Sequence, residues 1–146
     1  RVGDRIRDTQ SVDLTAVADD CWQNVETAAA TLRTEVEGAV QADQSRLVQL
    51  FENVFRNAIE HGGPEVSVTV GGLDDGFYIE DDGPGIPEGE RDSVFEAGYT
   101  TTQDGTGFGL SIVSQTVEAH GWGIRVTEGS EGGARFEITG IESTVE

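Results

Sequence analysis

Hydrophobic positions along the chain follow two rhythms, and each change of rhythm marks the boundary of an element. From Leu14 the apolar residues Leu14, Val17, Ala18, Cys21, Trp22 and Val25 recur at three and four residues, one face of a helix that Asp13 is placed to cap. Alternation takes over at Ala30, Leu32, Thr34 and Val36, and after Glu37-Gly38 a short stretch around Val40 is expected to return as a second strand. Asp43 can cap the next helix, whose buried stripe is predicted as Leu47, Leu50, Phe51, Val54, Phe55 and Ala58. Past Gly62-Gly63-Pro64, the alternating Val66, Val68 and Val70, a Gly/Asp-rich turn, and Phe77, Tyr78 and Ile79 predict a hairpin. Residues 82–107 are rich in glycine and proline and are expected to form a long irregular loop, of the kind that is usually functional or disordered. A helix is predicted from about Gly109 to His120, with Leu110, Val113 and Val117 on one face and Gly121 positioned to end it. Ile124 and Val126, then Phe136 and Ile138 across Gly132-Gly133, predict a final hairpin. Residues 1–12 are polar and aperiodic and read as a linker, which leaves 13–146 as the folded domain. This order of elements predicts an α/β (α+β) two-layer sandwich, a mixed, largely antiparallel sheet with about three helices on one face.

The 146 residues match one compact domain. Because the chain starts at Arg1 and contains no Met, it is expected to be a piece cut from a longer protein. No apolar run approaches the roughly 20 residues of a membrane-spanning helix, so no direct membrane contact is expected of it. The single cysteine, Cys21, excludes an internal disulfide and the Cys-rich zinc patterns, and its place on the apolar face of the first helix reads as a buried structural thiol. The net charge of −19 comes from 28 acidic residues against 9 basic ones, all arginine. So negative a field repels nucleic acid and anionic lipid. The acids are spread along the chain, and at molar salt, where the Debye length is about 3 Å, their mutual repulsion is largely screened. A solvated surface suited to a halophilic, haloarchaeal source is the expectation.

Three separated segments carry candidate chemistry. In the second helix, LVQLFENVFRNAIEH, Asn53 and Asn57 are four apart and share a face, with Glu60 and His61 a turn further on. Asn is a poor helix former, so two amides on one stripe suggest either a solvated face or neutral oxygen ligands for a Mg²⁺ that arrives with a nucleotide. At the end of a predicted strand, Asp81-Asp82-Gly83-Pro84-Gly85-Ile86-Pro87 is either a surface turn or a base site. There a carboxylate could accept from the exocyclic amine of adenine while glycines let the backbone approach the ring. Finally, Gly105-Thr106-Gly107-Phe108-Gly109-Leu110 leads straight into a helix, exposing N–H groups and the positive end of the dipole to a phosphate chain. It carries neither the G-K-[ST] of a P-loop nor the G-x-G-x-x-G of an N-terminal βαβ unit.

In this order and spacing the three segments resemble the N box, G1 box and G2 box of the histidine kinase catalytic domain. That domain has the Bergerat fold of the GHKL superfamily shared with gyrase, Hsp90 and MutL. Val94-Phe95-Glu96-Ala97-Gly98-Tyr99-Thr100-Thr101 is similar to the kinase F box, and SIVSQTVEAHGWGIRV to the stretch after the G2 box, so that the resemblance runs from about Val12 to Ile141. It implies that Asn57 is a magnesium ligand with Asn53 its companion, that His61 sits beside the nucleotide, and that Asp81 reads adenine. It further implies that Gly83, Gly85 and Ile86 line the base, and that Gly105, Thr106, Gly107, Phe108, Gly109 and Leu110 hold the phosphates under a lid spanning roughly 87–106 packed down by Phe95. Many members carry a lysine near the phosphates where this chain has Glu60 and Gln103. Arg56 could supply that charge or pair with Glu52 at i,i+4.

Only His61 and His120 could accept phosphate here, the first in the nucleotide helix and the second at a helix end beside Gly121. The resemblance therefore implies an acceptor histidine on a missing N-terminal helical dimerisation domain, and a homodimeric cytoplasmic kinase that uses Mg-ATP and passes phosphate to the receiver domain of a response regulator. Two other readings compete. An ATP-hydrolysing relative needs a carboxylate base, which the Asn53 amide cannot provide and Glu52, turned about 100° along the helix, offers only off the Asn57 face. A degenerate domain without the lysines would serve only for docking.

Overall fold

The computed structural model describes residues 9–25, 29–36, 38–63, 65–86, 89, 108–130 and 132–141. In chain order the elements are β1 (Gln10–Asp13), α1 (Leu14–Asn24), β2 (Thr31–Glu35), β3 (Ala39–Ala42), α2 (Gln44–Gly62), β4 (Ser67–Leu73), β5 (Gly76–Asp81), α3 (Phe108–His120), β6 (Gly123–Glu128) and β7 (Ala134–Thr139). Five strands form one sheet in the order β2-β4-β5-β7-β6, parallel at β2–β4 and antiparallel elsewhere. The α/β sandwich and both predicted hairpins, β4–β5 and β6–β7, are present.

Each helix starts and stops where local chemistry requires. Asp13 accepts from the Ala16 N–H at 3.1 Å and Asp43 from the Arg46 N–H at 3.0 Å, so both N-caps close a helix end that would otherwise leave donors unpaired. At the end of α3, Gly121 takes φ of 80° while the Trp122 N–H reaches back to the Val117 carbonyl at 2.9 Å, the left-handed stop that favours glycine.

The core lies between the helical layer and one face of the sheet. Phe51 of α2 stacks on Phe77 of β5 with centroids 5.4 Å apart, and Trp22 of α1 meets Phe55 edge-on at 5.2 Å. Phe51, Phe55, Phe77 and Phe136 are fully buried, and burying each such side chain is worth about 1.5–3 kcal/mol. The outer face of the sheet carries Arg33, Tyr78, Glu80, Arg135 and Glu137 in place of apolar residues.

Two expectations are corrected. Gln10, Ser11 and Val12 belong to a strand, not to a linker: β1 pairs antiparallel with β3, and Val12, opposite Val40, is buried. One buried valine in a polar run is too little alternation to signal a strand. The second strand expected around Val40 is present as β3, but it runs along β1 and not along β2. The Leu14 N–H and the Thr15 hydroxyl at the start of α1 bond the carbonyls of Gly38 and Val36 at 3.4 and 2.8 Å. Those bonds hold the chain at the head of α1, where β3 meets β1, and leave β2 to pair in parallel with β4.

Candidate functional site

Strand β5 ends on two adjacent carboxylates that point to different work. Asp81 is buried, and its Oδ1 accepts from the N–H groups of Gly83 at 2.9 Å and Ala134 at 3.3 Å. Asp82 is exposed and clamps the start of β4, accepting the Ser67 N–H at 2.9 Å while its own N–H donates to the Ser67 carbonyl at 3.2 Å. Of the two, Asp81 is the carboxylate held in a fixed orientation inside the domain by backbone donors.

The asparagine helix and this strand end meet without side chains between them. A Cβ built on Gly83 would lie 2.7 Å from the Cα of Gly62, the last residue of α2, so the approach is open only to glycine at position 83. Gly85, at φ of 79°, is likewise pressed against the turn before β7, where a Cβ would come within 3.0 Å of the Gly132 carbonyl. Ile86 packs partly buried against the core, and Leu110 in the first turn of α3 is buried.

On α2, Asn53 and Asn57 are both half-buried but differently engaged. The Asn53 Nδ2 donates to the Gln49 carbonyl at 2.8 Å, and its Oδ1 receives the Arg56 guanidinium at 3.4 Å. Arg56 therefore reaches Asn53. No hydrogen bond of the Asn57 amide is found among the described residues. Glu52 sits near Cys21 of α1: burial first, and then the Glu52 and Asp20 charges, push the Cys21 thiol up to about 12. The thiol itself is fully buried and donates to the Val48 carbonyl at 3.5 Å, the inert cysteine expected of that position.

His120 is bound on both ring nitrogens. Its Nε2 accepts the Asp43 N–H at 3.0 Å, its Nδ1 faces the Thr116 carbonyl at 2.8 Å, and the ring stacks on Trp122 with centroids 4.1 Å apart. Accepting at Nε2 fixes the neutral tautomer with the proton on Nδ1. Burial lowers its pKa, with Arg46 adding to the effect and the Thr116 carbonyl and Asp43 carboxylate opposing it.

Gly105, Thr106 and Gly107, the 87–106 segment apart from Gly89, with Phe95 and Gln103 in it, and the side chains of His61 and Phe108 lie outside the described residues. Sequence reasoning missed a group behind Asp81. Glu80, one residue earlier on β5 and mostly buried, accepts from the Ser130 hydroxyl at 2.7 Å and from Arg135 at 3.2 Å, and Arg135 lies 3.8 Å over the Tyr78 ring. These residues border a cleft of about 440 Å³ on the outer sheet face, whose lining includes Asp81 and Asp82 but not Asn57. The only signal in the sequence was the Gly-rich run at 129–133, which reads as an ordinary hairpin turn.

Residues 42–141 match the family model described as histidine kinase-, DNA gyrase B-, and HSP90-like ATPase. The chain is 36% identical over 103 residues to the sensor histidine kinase ZraS of Escherichia coli O157:H7, an alignment that takes in 68% of this chain and 22% of that protein. It thus spans about a fifth of the length of such relatives. Among solved structures it superposes on the mycobacterial sensor histidine kinase MprB with a TM-score of 0.78 at 31% identity, covering 94% of this chain and all of the other. The ATP binding domain of PrrB from Mycobacterium tuberculosis gives a TM-score of 0.69 at 26% identity, covering 94% and 98%.

Proposed function

The chain belongs to the histidine kinase-, DNA gyrase B- and HSP90-like ATPase family, as an ATP-binding catalytic domain of the histidine kinase kind, and on that premise we propose how its residues serve phosphoryl transfer. It binds Mg-ATP and presents the γ-phosphate to a histidine on a separate helical domain of the same kinase. From there the phosphate passes to the receiver domain of a response regulator. The parent kinase is a cytoplasmic-facing homodimer in this reading. Transfer of this kind asks mainly for positioning and charge neutralisation, which a nucleotide-presenting domain can supply by itself.

Asp81 accepts from the exocyclic amine of adenine, and Gly83, Gly85 and Ile86 line the ring. Asn57, with Asn53 beside it, offers amide oxygen to Mg²⁺, while His61 stands next to the nucleotide. Gly105, Thr106, Gly107, Phe108, Gly109 and Leu110 bring N–H groups and the α3 N-terminus to the phosphates. Bound Mg²⁺ would neutralise phosphate charge that this acidic chain cannot. The observation that carries the reading is the Gly62–Gly83 contact: it brings the end of the asparagine helix against the strand end that holds Asp81, so one ligand can reach both.

The Cys21 thiol of α1 bonds the Val48 carbonyl, and Glu52, one turn further along α2, lies on that α1 side, which counts against the hydrolytic alternative because a base must face the nucleotide. The two hydrogen bonds on His120 leave neither nitrogen for phosphorylation, which supports an acceptor elsewhere. Calorimetry at high salt tests the proposal. The chain should bind ATP only with magnesium, and Asn57→Ala or Asp81→Ala should each weaken binding about 100-fold, or about 2.7 kcal/mol. Absence of Mg-ATP binding by the unaltered chain would favour the docking module, and phosphate incorporated into His61 or His120 would refute a separate acceptor.

A further inference from the structure

We infer that Glu80 is a positioning residue for base recognition: through Ser130 and Arg135 it fixes the Gly129–Gly133 turn, and that turn in turn fixes Asp81 and Gly85. The inference rests on the reading of Asp81 as the adenine acceptor. On β5 neighbouring side chains alternate between the faces of the sheet: Asp81 meets the N–H groups of Gly83 and Ala134 while Glu80 meets Ser130 and Arg135, although both residues border the outer cleft. The influence of Glu80 on Asp81 runs through the turn.

A chain of contacts makes that route physical. The Ser130 hydroxyl donates to the Glu80 carboxylate at 2.7 Å and the Ser130 N–H at 3.4 Å, which ties the middle of the turn to β5. Arg135, just after the turn, donates to the same carboxylate at 3.2 Å and to Glu137 at 2.8 Å, and lies against the Tyr78 ring. On the other side of the strand the turn touches the site. A Cβ on Gly133 would run into the carbonyl and carboxylate oxygens of Asp81, Gly132 presents its carbonyl to Gly85, and the Ala134 N–H is one of the donors that orient the Asp81 Oδ1. The turn also closes on itself, Gly129 N–H to the Gly133 carbonyl and Gly132 N–H to the Gly129 carbonyl, which ties its two ends together. Releasing Ser130 therefore shifts the Ala134 donor and the backing of Gly85 together. Both act at the base, and neither at the phosphates.

The readout that separates this role from general stabilisation is the preference for ATP over inosine triphosphate, which presents a carbonyl oxygen where adenine presents an amine. Calorimetry on the chain with each nucleotide and magnesium should show Ser130→Ala and Glu80→Ala losing that preference by roughly tenfold, the size expected when charge-assisted hydrogen bonds are removed from a positioning contact. Glu80→Gln, whose amide oxygen still accepts from Ser130, should keep most of it. Asp81→Asn is the reference that loses it entirely. If Glu80→Ala does not fold by circular dichroism, Ser130→Ala decides alone. Unchanged preference in folded Ser130→Ala, or equal weakening of both nucleotides, overturns the positioning role while Asp81→Asn still validates the base reading. Unchanged preference in Asp81→Asn overturns the base reading and this inference together.

Discussion

At its N-terminal end α2 is held by side chains, and at its C-terminal end by bare backbone. Asp43 caps the first turn, and its own N–H is taken by His120, which reaches back to Thr116 and stacks on Trp122, so the cap and the histidine find their partners within the chain. At the other end Gly62 lies against Gly83, and one turn earlier the Asn57 amide has no hydrogen bond among the described residues. A polar group saturated by the chain holds the fold together. In the proposed reading, the half-exposed Asn57 amide is the group kept for a partner from outside.

The strongest way to break the comparison is to separate α2 from β5. In Gly83→Ala the new methyl meets the Gly62 backbone at 2.7 Å, and no flexible side chain can yield. Overpacking of this kind costs about 1–3 kcal/mol. Mg-ATP affinity should fall by more than about 100-fold, as with loss of Asp81 itself. Thermal unfolding and calorimetry on one sample check both; wild-type affinity in Gly83→Ala would mean that the glycine contact is incidental.

The opposite end should respond in stability alone. His120→Ala removes two hydrogen bonds and a stacked ring, a loss of about 1–3 kcal/mol by denaturant unfolding, while Mg-ATP affinity of the folded variant stays within about twofold. Acid should produce a milder version of the same loss. Because the folded pKa of His120 lies below its ordinary 6.5, the folded chain refuses a proton that the unfolded chain accepts. Its contribution is complete above about pH 6.5 and fades as pH falls towards the folded value. The stability difference between the wild type and His120→Gln across pH 5 to 8 isolates this group from the many carboxylates, and a difference that grows towards acid would contradict the assigned tautomer.

The two ends also differ in how far the sequence disclosed them. The caps Asp13, Asp43 and Gly121 and the stripes of α1, α2 and α3 were legible because they act over three or four residues. Both hairpins were legible from alternation across a turn. Strand order was not: that β7 lies between β5 and β6, or that β2 runs parallel to β4, is decided by closure over long separations. The role of His120 depends on an N–H 77 positions away, and the sequence shows only a histidine at a helix end. In the site, motif spacing named Asp81 and the glycines, but Glu80 escaped because its effect runs through a turn 50 residues later.

The smallest expected effect sets how far along α2 the ligand-facing end extends. Asn53 precedes Asn57 by one turn, yet its Nδ2 is already spent on the Gln49 carbonyl and its Oδ1 receives Arg56. Ala is a better helix former than Asn by up to about 0.7 kcal/mol, which offsets much of the loss of two exposed hydrogen bonds, one of them long at 3.4 Å. Asn53→Ala should therefore leave stability unchanged within about 0.5 kcal/mol, as surface substitutions usually do. If Asn53 only accompanies Asn57, its removal weakens Mg-ATP binding less than about tenfold, against about 100-fold for Asn57→Ala. Equal losses for the two would move the boundary back a turn and make both amides ligand groups, with the Gln49 and Arg56 contacts surrendered when the nucleotide binds.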